Sequence, residues 1–166
     1  MQTWSLIQHE QNWTGVGQQA LLARPLTAFF SSRQCPGAAI RATMDWTLEQ
    51  AKHGRPVVSG FHAPLEQSVL SVLLQARCPV VVVLARSVKG ARLPAAHMTA
   101  LEQGHMAVVS PAMRNQRLTQ ELAAQRNAWV AELAHQIVVG HASPGGQLAA
   151  LCEHWQSAGR TVLHLT

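Results

Sequence analysis

A chain of 166 residues suffices for one domain, and at that size roughly two thirds of the surface of the unfolded chain leaves water on folding, so no disulfide or metal staple is required. Hydrophobic residues at 48% against 13% charged exclude a disordered polymer, and the apolar runs are too short to cross a bilayer, so no membrane association is expected. The net charge is +5 and only Lys52 and Lys89 are lysines; the other cations are arginines, whose planar fork suits phosphate groups.

Residues 1–24 are largely polar, and Trp4, Trp13 and the run 20–22 read as packing on the outside of the domain, as an N-terminal extension, or on a partner. They combine no basic segment with an apolar stretch, which predicts a cytoplasmic protein without a secretory leader. Cys35, Cys78 and Cys152 are odd in number and form no CxxC pair, as suits a reducing compartment.

From residue 26 onward, short apolar runs alternate with stretches of helical spacing. The first strand, 26–30, runs into the loop FFSSRQCPG at 29–37: Ser31, Ser32 and Arg33 are the groups that cradle and clamp an anion, and Gly37 opens a helix over 38–53 whose N–H groups point toward it. Gly54 caps that helix, and the strand 56–59 leads into VVSGFHAPLE, which places Ser59, Gly60, His62 and Glu66 at the entry to a helix over 64–76, with Pro64 in its first turn. A strand at 79–84 is followed by a basic loop with Arg86, Lys89 and Arg92, then by a helix at 95–103 capped by Gly104. A strand at 106–110 precedes Arg114 and Arg117, a helix spans 119–135, and the strand 136–141 ends in a third turn, HASPGG, with Gly145 and Gly146. A helix at 147–158, Gly159 and a strand at 161–165 complete the chain.

Strict alternation predicts a single α/β domain over 1–166: a Rossmann-like, open, mostly parallel sheet of about six strands with helices on both faces. With the usual strand order 3-2-1-4-5-6, the ligand crevice opens between the first and fourth strands, walled by residues 31–37, 110–117 and 141–146, with 59–66 alongside.

The order of these motifs resembles the Rossmann-like domain of the DNA-processing protein DprA, also called Smf, within the SLOG superfamily, over roughly residues 26–165. The loop FFSSRQCPG is similar to the family's G-S-R segment at Ser32 and Arg33, and VVSGFHAPLE is similar to its VVSGxAxGID segment at Ser59 and Gly60, with Pro64, Leu65 and Glu66 in place of Gly-Ile-Asp. Arg126 and Asn127 match its R-N-R approach, whose second arginine is Ala128 here, and Gly145 and Gly146 match the turn beyond. The resemblance implies a stand-alone binding domain for a phosphate-bearing ligand, a nucleotide or single-stranded nucleic acid, without catalysis. Ser31, Ser32, Arg33 and Gly37 would hold phosphate, Ser59, Gly60, Gly145 and Gly146 would supply backbone donors, and His62, Arg126 and Asn127 would contact or brace the ligand.

An enzymatic alternative comes from the LOG-type nucleoside 5'-monophosphate phosphoribohydrolases of the same superfamily, whose PGGxGTxxE signature matches at Pro144, Gly145 and Gly146 but meets Leu148, Ala149 and Cys152 afterwards, with Glu153 one residue out of place. Glu66 is then the available carboxylate, as a general base, set against the plainer reading that it favours a helix N-terminus. A scaffold subunit, with its loops filled by side chains, is the third reading. Cys35 beside Arg33 invites a lowered thiol pKa and nucleophilic character, and His62 and His141 follow strands as metal ligands do. With Asp45 as the only aspartate, neither a metal nor a cofactor is expected. Trp129, Trp155 and the apolar segment 69–74 predict a face for a homodimer.

Overall fold

The computed structural model describes residues 1–114 and 117–166. Eight strands form one sheet: β1 (Trp4–Gln8), β2 (Gln11–Gly17), β3 (Thr27–Phe30), β4 (Val57–Ser59), β5 (Val80–Val83), β6 (Met106–Ser110), β7 (Gln136–Val139) and β8 (Val162–His164). Five helices accompany them: α1 (Gly37–His53), α2 (Pro64–Gln75), α3 (Ala95–Glu102), α4 (Gln120–Leu133) and α5 (Gln147–Ser157). The strand order is β1-β2-β6-β5-β4-β3-β7-β8, with β3 to β8 mutually parallel and β2 antiparallel to both β1 and β6. This is the Rossmann-like α/β fold, with six parallel strands and two more added at one edge.

The central strands are buried on both faces, which is why TAFF and VVVV read as continuous apolar runs rather than alternating ones. Their side chains still alternate between two cores. Phe29, Val80, Val82 and Val138 face α2 and α3, with Met44 and Trp46 of α1 packed on that core; Ala28, Phe30, Val81, Val83, Ile137 and Val139 face α4 and α5. Turn chemistry sets the element ends. Gly54 adopts the left-handed conformation (φ 60°) after α1, and Pro64 sits in the first turn of α2, where its missing N–H costs nothing.

Two expectations are corrected here. Residues 1–24 do not lie on the outside of the sheet but extend it: β2 pairs with β6 and β1 with β2, Trp13 is fully buried, and Trp4 lies across Gly15, its cross-strand partner, where a Cβ would come within 2.4 Å of the indole. The hairpin turn is His9–Glu10, both with positive φ (52° and 61°), a mirror-image turn made without the usual Asn-Gly. The strand order also differs. From β3 the chain steps outward through β4, β5 and β6, and then returns across the sheet with α4 to place β7 on the other side of β3. The switch point therefore lies between β3 and β7, the first and fifth parallel strands, not between β3 and β6.

Trp155 stacks on Phe30 (centroids 4.8 Å apart), and Val69, Leu70 and Leu73 are buried. These side chains lie inside the chain's own core rather than on the face for a second copy that the sequence predicts. Among the described residues, no helix is long and apolar enough to cross a membrane.

Candidate functional site

A cleft of about 460 Å³ opens at the carboxyl ends of β3 and β7. Ser31, Ser32, Arg33, His62, Glu66, Arg126 and Asn127 line it together, so motifs from two strand-end turns and from α4 converge. Three helices begin at its wall: Ala63 is the N-cap of α2, Thr119 of α4, and Gln147 is the first residue of α5. The positive ends of three helix dipoles thus meet at one space, which favours an anion.

The two loops at the switch point are tied by hydrogen bonds. The Ser32 N–H donates to the His141 carbonyl (2.8 Å), and the Ser143 N–H donates to Ser32 Oγ (2.8 Å). Ser32 thereby keeps a hydroxyl proton to offer. The Ser31 hydroxyl is buried and has no partner among the described residues.

Glu66 is 5% exposed and both carboxylate oxygens are occupied: Oε2 accepts from the Ser31 N–H (3.0 Å), and Oε1 from the His62 (2.9 Å) and Ala63 (3.2 Å) N–H groups. One side chain thus braces the first loop against the second. Burial pushes its pKa above the ordinary carboxylate value, opposed by these three N–H bonds and by the Arg126 charge.

Arg126 is 7% exposed, and its Nε makes no hydrogen bond among the described residues. Burial lowers its pKa, with Glu66 acting in the opposite direction. It packs against Gly60, where a Cβ would stand 2.3 Å from Nε; a glycine is required for the guanidinium to reach the cleft. Beyond Gly60 a second cleft of about 410 Å³ adjoins the first, sharing His62, Leu118 and Arg126 and adding Arg86 and Arg117. Desolvation and the charges of Arg126 and Arg33 hold the His62 pKa below its ordinary value.

Other singled-out residues lie elsewhere. Ser59 is fully buried and its Oγ accepts from the Phe61 N–H (3.0 Å), which holds Phe61 at a positive φ of 51° and buries its ring, so no aromatic face is offered. Gly37, Gly145 and Gly146 do not line the cleft; Gly146 is the N-cap of α5, and Gly37 is the first residue of α1. Of the wall predicted at 110–117, Arg117 lines the second cleft and residues 115–116 lie outside the described residues. Cys35 is not activated: burial first, then Glu66, raise its pKa, and its thiol donates to the Ser32 carbonyl (3.2 Å). Glu153 is exposed on α5, which leaves Glu66 as the single carboxylate lining either cleft. His141 lines neither, and among the described residues no three His, Cys, Asp or Glu side chains gather as metal ligands. Ser143 lies in the wall predicted at 141–146, though it was not singled out there; sequence reasoning missed Thr119 and Gln147, of which Thr119 carried a signal, since its Oγ1 accepts from the Leu122 N–H (3.1 Å) as a helix cap does.

The family model of DNA recombination-mediator protein A matches residues 14–165. No curated protein matches the chain. Two solved structures share its fold. DNA processing protein A (DprA) from Streptococcus pneumoniae superposes with a TM-score of 0.73 at 20% identity, covering 92% of this chain and 54% of its own. DNA processing protein A from Helicobacter pylori, solved for its single-stranded DNA binding mode, superposes with a TM-score of 0.77 at 16% identity, covering 99% of this chain and 80% of its own. The chain thus spans about half of the first protein's length.

Proposed function

The chain belongs to the DNA recombination-mediator protein A family, and from that premise we propose that it binds single-stranded DNA by its phosphate backbone, along the groove formed by the two adjoining clefts, without catalysing a reaction. The carrying observation is the shared wall: Arg126, buried and with no partner at Nε among the described residues, joins the cleft of Ser32 and Arg33 to that of Arg86 and Arg117. A mononucleotide needs one closed pocket with one cation, whereas a row of arginines along connected clefts matches a chain of phosphates. The single-stranded DNA binding mode of the Helicobacter pylori relative supports the same reading. In this reading Ser32 and Arg33 hold one phosphate, with Ser31 and Asn127 beside it; Arg126 holds the next; and Arg117 and Arg86 continue the track. Gly60 gives Arg126 its room, and Gly37, Ser59, Gly145 and Gly146 shape the turns rather than touch DNA.

Hydrolysis of an N-glycosidic bond is not favoured. It calls for a carboxylate near the sugar and an acid to assist departure, and the only carboxylate lining the groove already accepts three backbone N–H bonds. Among the described residues no Phe, Tyr or Trp ring lines either cleft and the His62 imidazole is the one aromatic group there, so base stacking contributes little and affinity rests on phosphate contacts.

Fluorescence anisotropy of a labelled single-stranded oligonucleotide, titrated at several salt concentrations, tests the proposal. Affinity is expected to fall steeply with salt and to exceed that for a duplex of the same length. Salt-independent affinity, or full binding by an Arg33→Ala, Arg126→Met double variant, would overturn it.

A further inference from the structure

The sheet carries another cleft at its opposite end. About 350 Å³ in volume, it lies at the amino ends of β3, β4 and β7, where Thr27, Pro56 and Gln136 line it. Arg24, Arg55, His53 and His135 surround it, and no carboxylate lines it. Its inner wall holds Gln50, 6% exposed, whose side-chain amide makes no hydrogen bond among the described residues. Without a partner among the described residues and open to the cleft, this amide offers two donors and an acceptor to whatever enters. Beside it stands the half-buried indole of Trp46, stacked on Phe29 with centroids 5.3 Å apart.

We propose that this cleft is a second ligand site, for a nucleoside monophosphate: a planar ring with a hydrogen-bonding edge, carrying an anionic group. Gln50 meets the edge of the ring, Trp46 forms its wall, and Arg55 and Arg24 meet the phosphate. The end of α1 reaches this cleft, and a helix C-terminus repels an anion. Part of that end is already covered: Gln50 O accepts from the Arg55 N–H (3.1 Å), Ala51 O from the Gly54 N–H (3.2 Å), and just beyond the helix Gly54 O accepts from Arg24 Nη2 (3.4 Å). The Arg55 guanidinium itself is exposed and makes no hydrogen bond or ion pair among the described residues. His53 is partly engaged by Glu49 (3.4 Å), and His135 turns Nδ1 to the Leu26 carbonyl (2.9 Å), leaving Nε2 free to face the cleft. Amide, indole and free cation occur together here, whereas among the described residues the groove at the other end has arginines but no Trp, Phe or Tyr ring.

Isothermal titration of the full chain with the four deoxynucleoside 5'-monophosphates, the matching nucleosides and inorganic phosphate tests this site. At least one monophosphate is expected to saturate, more tightly than its nucleoside or phosphate alone, and to weaken roughly tenfold in Arg55→Ala and in Gln50→Leu while holding in Arg33→Ala, as the loss of one polar contact predicts. Arg55 is exposed, so its variant keeps the fold even if Gln50→Leu does not. Absence of binding, equal binding of inorganic phosphate, or weakening by Arg33→Ala alone would overturn the proposal. A 5'-phosphorylated oligonucleotide that competes through Arg55 identifies a DNA end as the source of the ligand, and one that does not identifies the free nucleotide. The DNA groove uses none of these residues, so failure here leaves that reading standing.

Discussion

At the carboxyl ends of the parallel strands the chain turns into helices, and at the amino ends it arrives from them, so the two clefts see opposite poles of the helix dipoles. The carboxyl-end groove draws positive potential from the N-termini of α2, α4 and α5 before any side chain is counted. At the amino end, backbone N–H groups cover the Gln50 and Ala51 carbonyls of α1 and Arg24 covers that of Gly54 just beyond it, and Arg55 is the guanidinium left over. The backbone therefore charges one site and side chains charge the other. A site made by backbone should lose affinity in steps as side chains are removed; one made by side chains should disappear with one or two of them.

Substitutions can break that comparison. The largest effect is expected from Glu66→Ala, which strips the acceptor from the Ser31, His62 and Ala63 N–H groups and should cost about 3 kcal/mol of stability by denaturant unfolding. Unchanged stability would show that Glu66 braces nothing. Gly60→Ala follows: its Cβ meets Nε and Cδ of Arg126, at 2.3 and 2.7 Å, and forces the buried side chain aside, for about 1–3 kcal/mol and a loss of oligonucleotide affinity. Arg126→Met separates function from stability. It removes a buried charge without a hydrogen-bonded partner at Nε, so unfolding free energy should shift by less than about 1 kcal/mol while affinity falls roughly tenfold. Arg33→Ala, at an exposed position, should leave the melting temperature unchanged and reduce the slope of log affinity against log salt by about 1.

The smallest effect is a pH dependence. Burial holds the Glu66 pKa above the ordinary carboxylate value, so the folded chain keeps this proton after the unfolded chain has lost it. Stability from this group is present below the ordinary carboxylate pKa and declines as pH rises through it to the raised value. The wild type should therefore lose stability relative to Glu66→Gln across the mildly acidic range, as melting temperatures at several pH values would record. A gap that does not vary with pH would mean that the three N–H bonds fully offset the burial.

Much of the candidate groove was legible because its residues belong to loops at strand ends. Ser31, Ser32, Arg33, His62 and Glu66 follow strands directly, and position in an alternating α/β chain is enough to place them on one end of a sheet. Arg126 and Asn127 sit within α4, where resemblance pointed to them and periodicity did not. Gly145 and Gly146 looked equally apt, yet they shape the turn into α5, and Ser143 and Gln147 on either side form the wall instead. A turn motif records where the chain bends, and only the packed structure records which of its atoms face inward. The amino-end cleft was illegible: Arg24, Trp46, Gln50, Arg55 and His135 belong to different elements with no shared motif.

Taken alone, the sequence determined the local elements from β3 to β8, since periodicity, glycine caps and Pro64 act within a few residues of chain. It also determined the anion-seeking character of the loops, because serines and arginines after strands carry that chemistry wherever the sheet places them. Tertiary structure decided the strand order, and with it that the crevice lies beside β7 rather than β6, because pairing joins residues far apart in the chain. It also decided that residues 1–24 extend the sheet. The hairpin turn at His9–Glu10 carries no composition signal, and the burial of Trp13 and the pairing of β2 with β6 arise only once the edge strand is there to receive them.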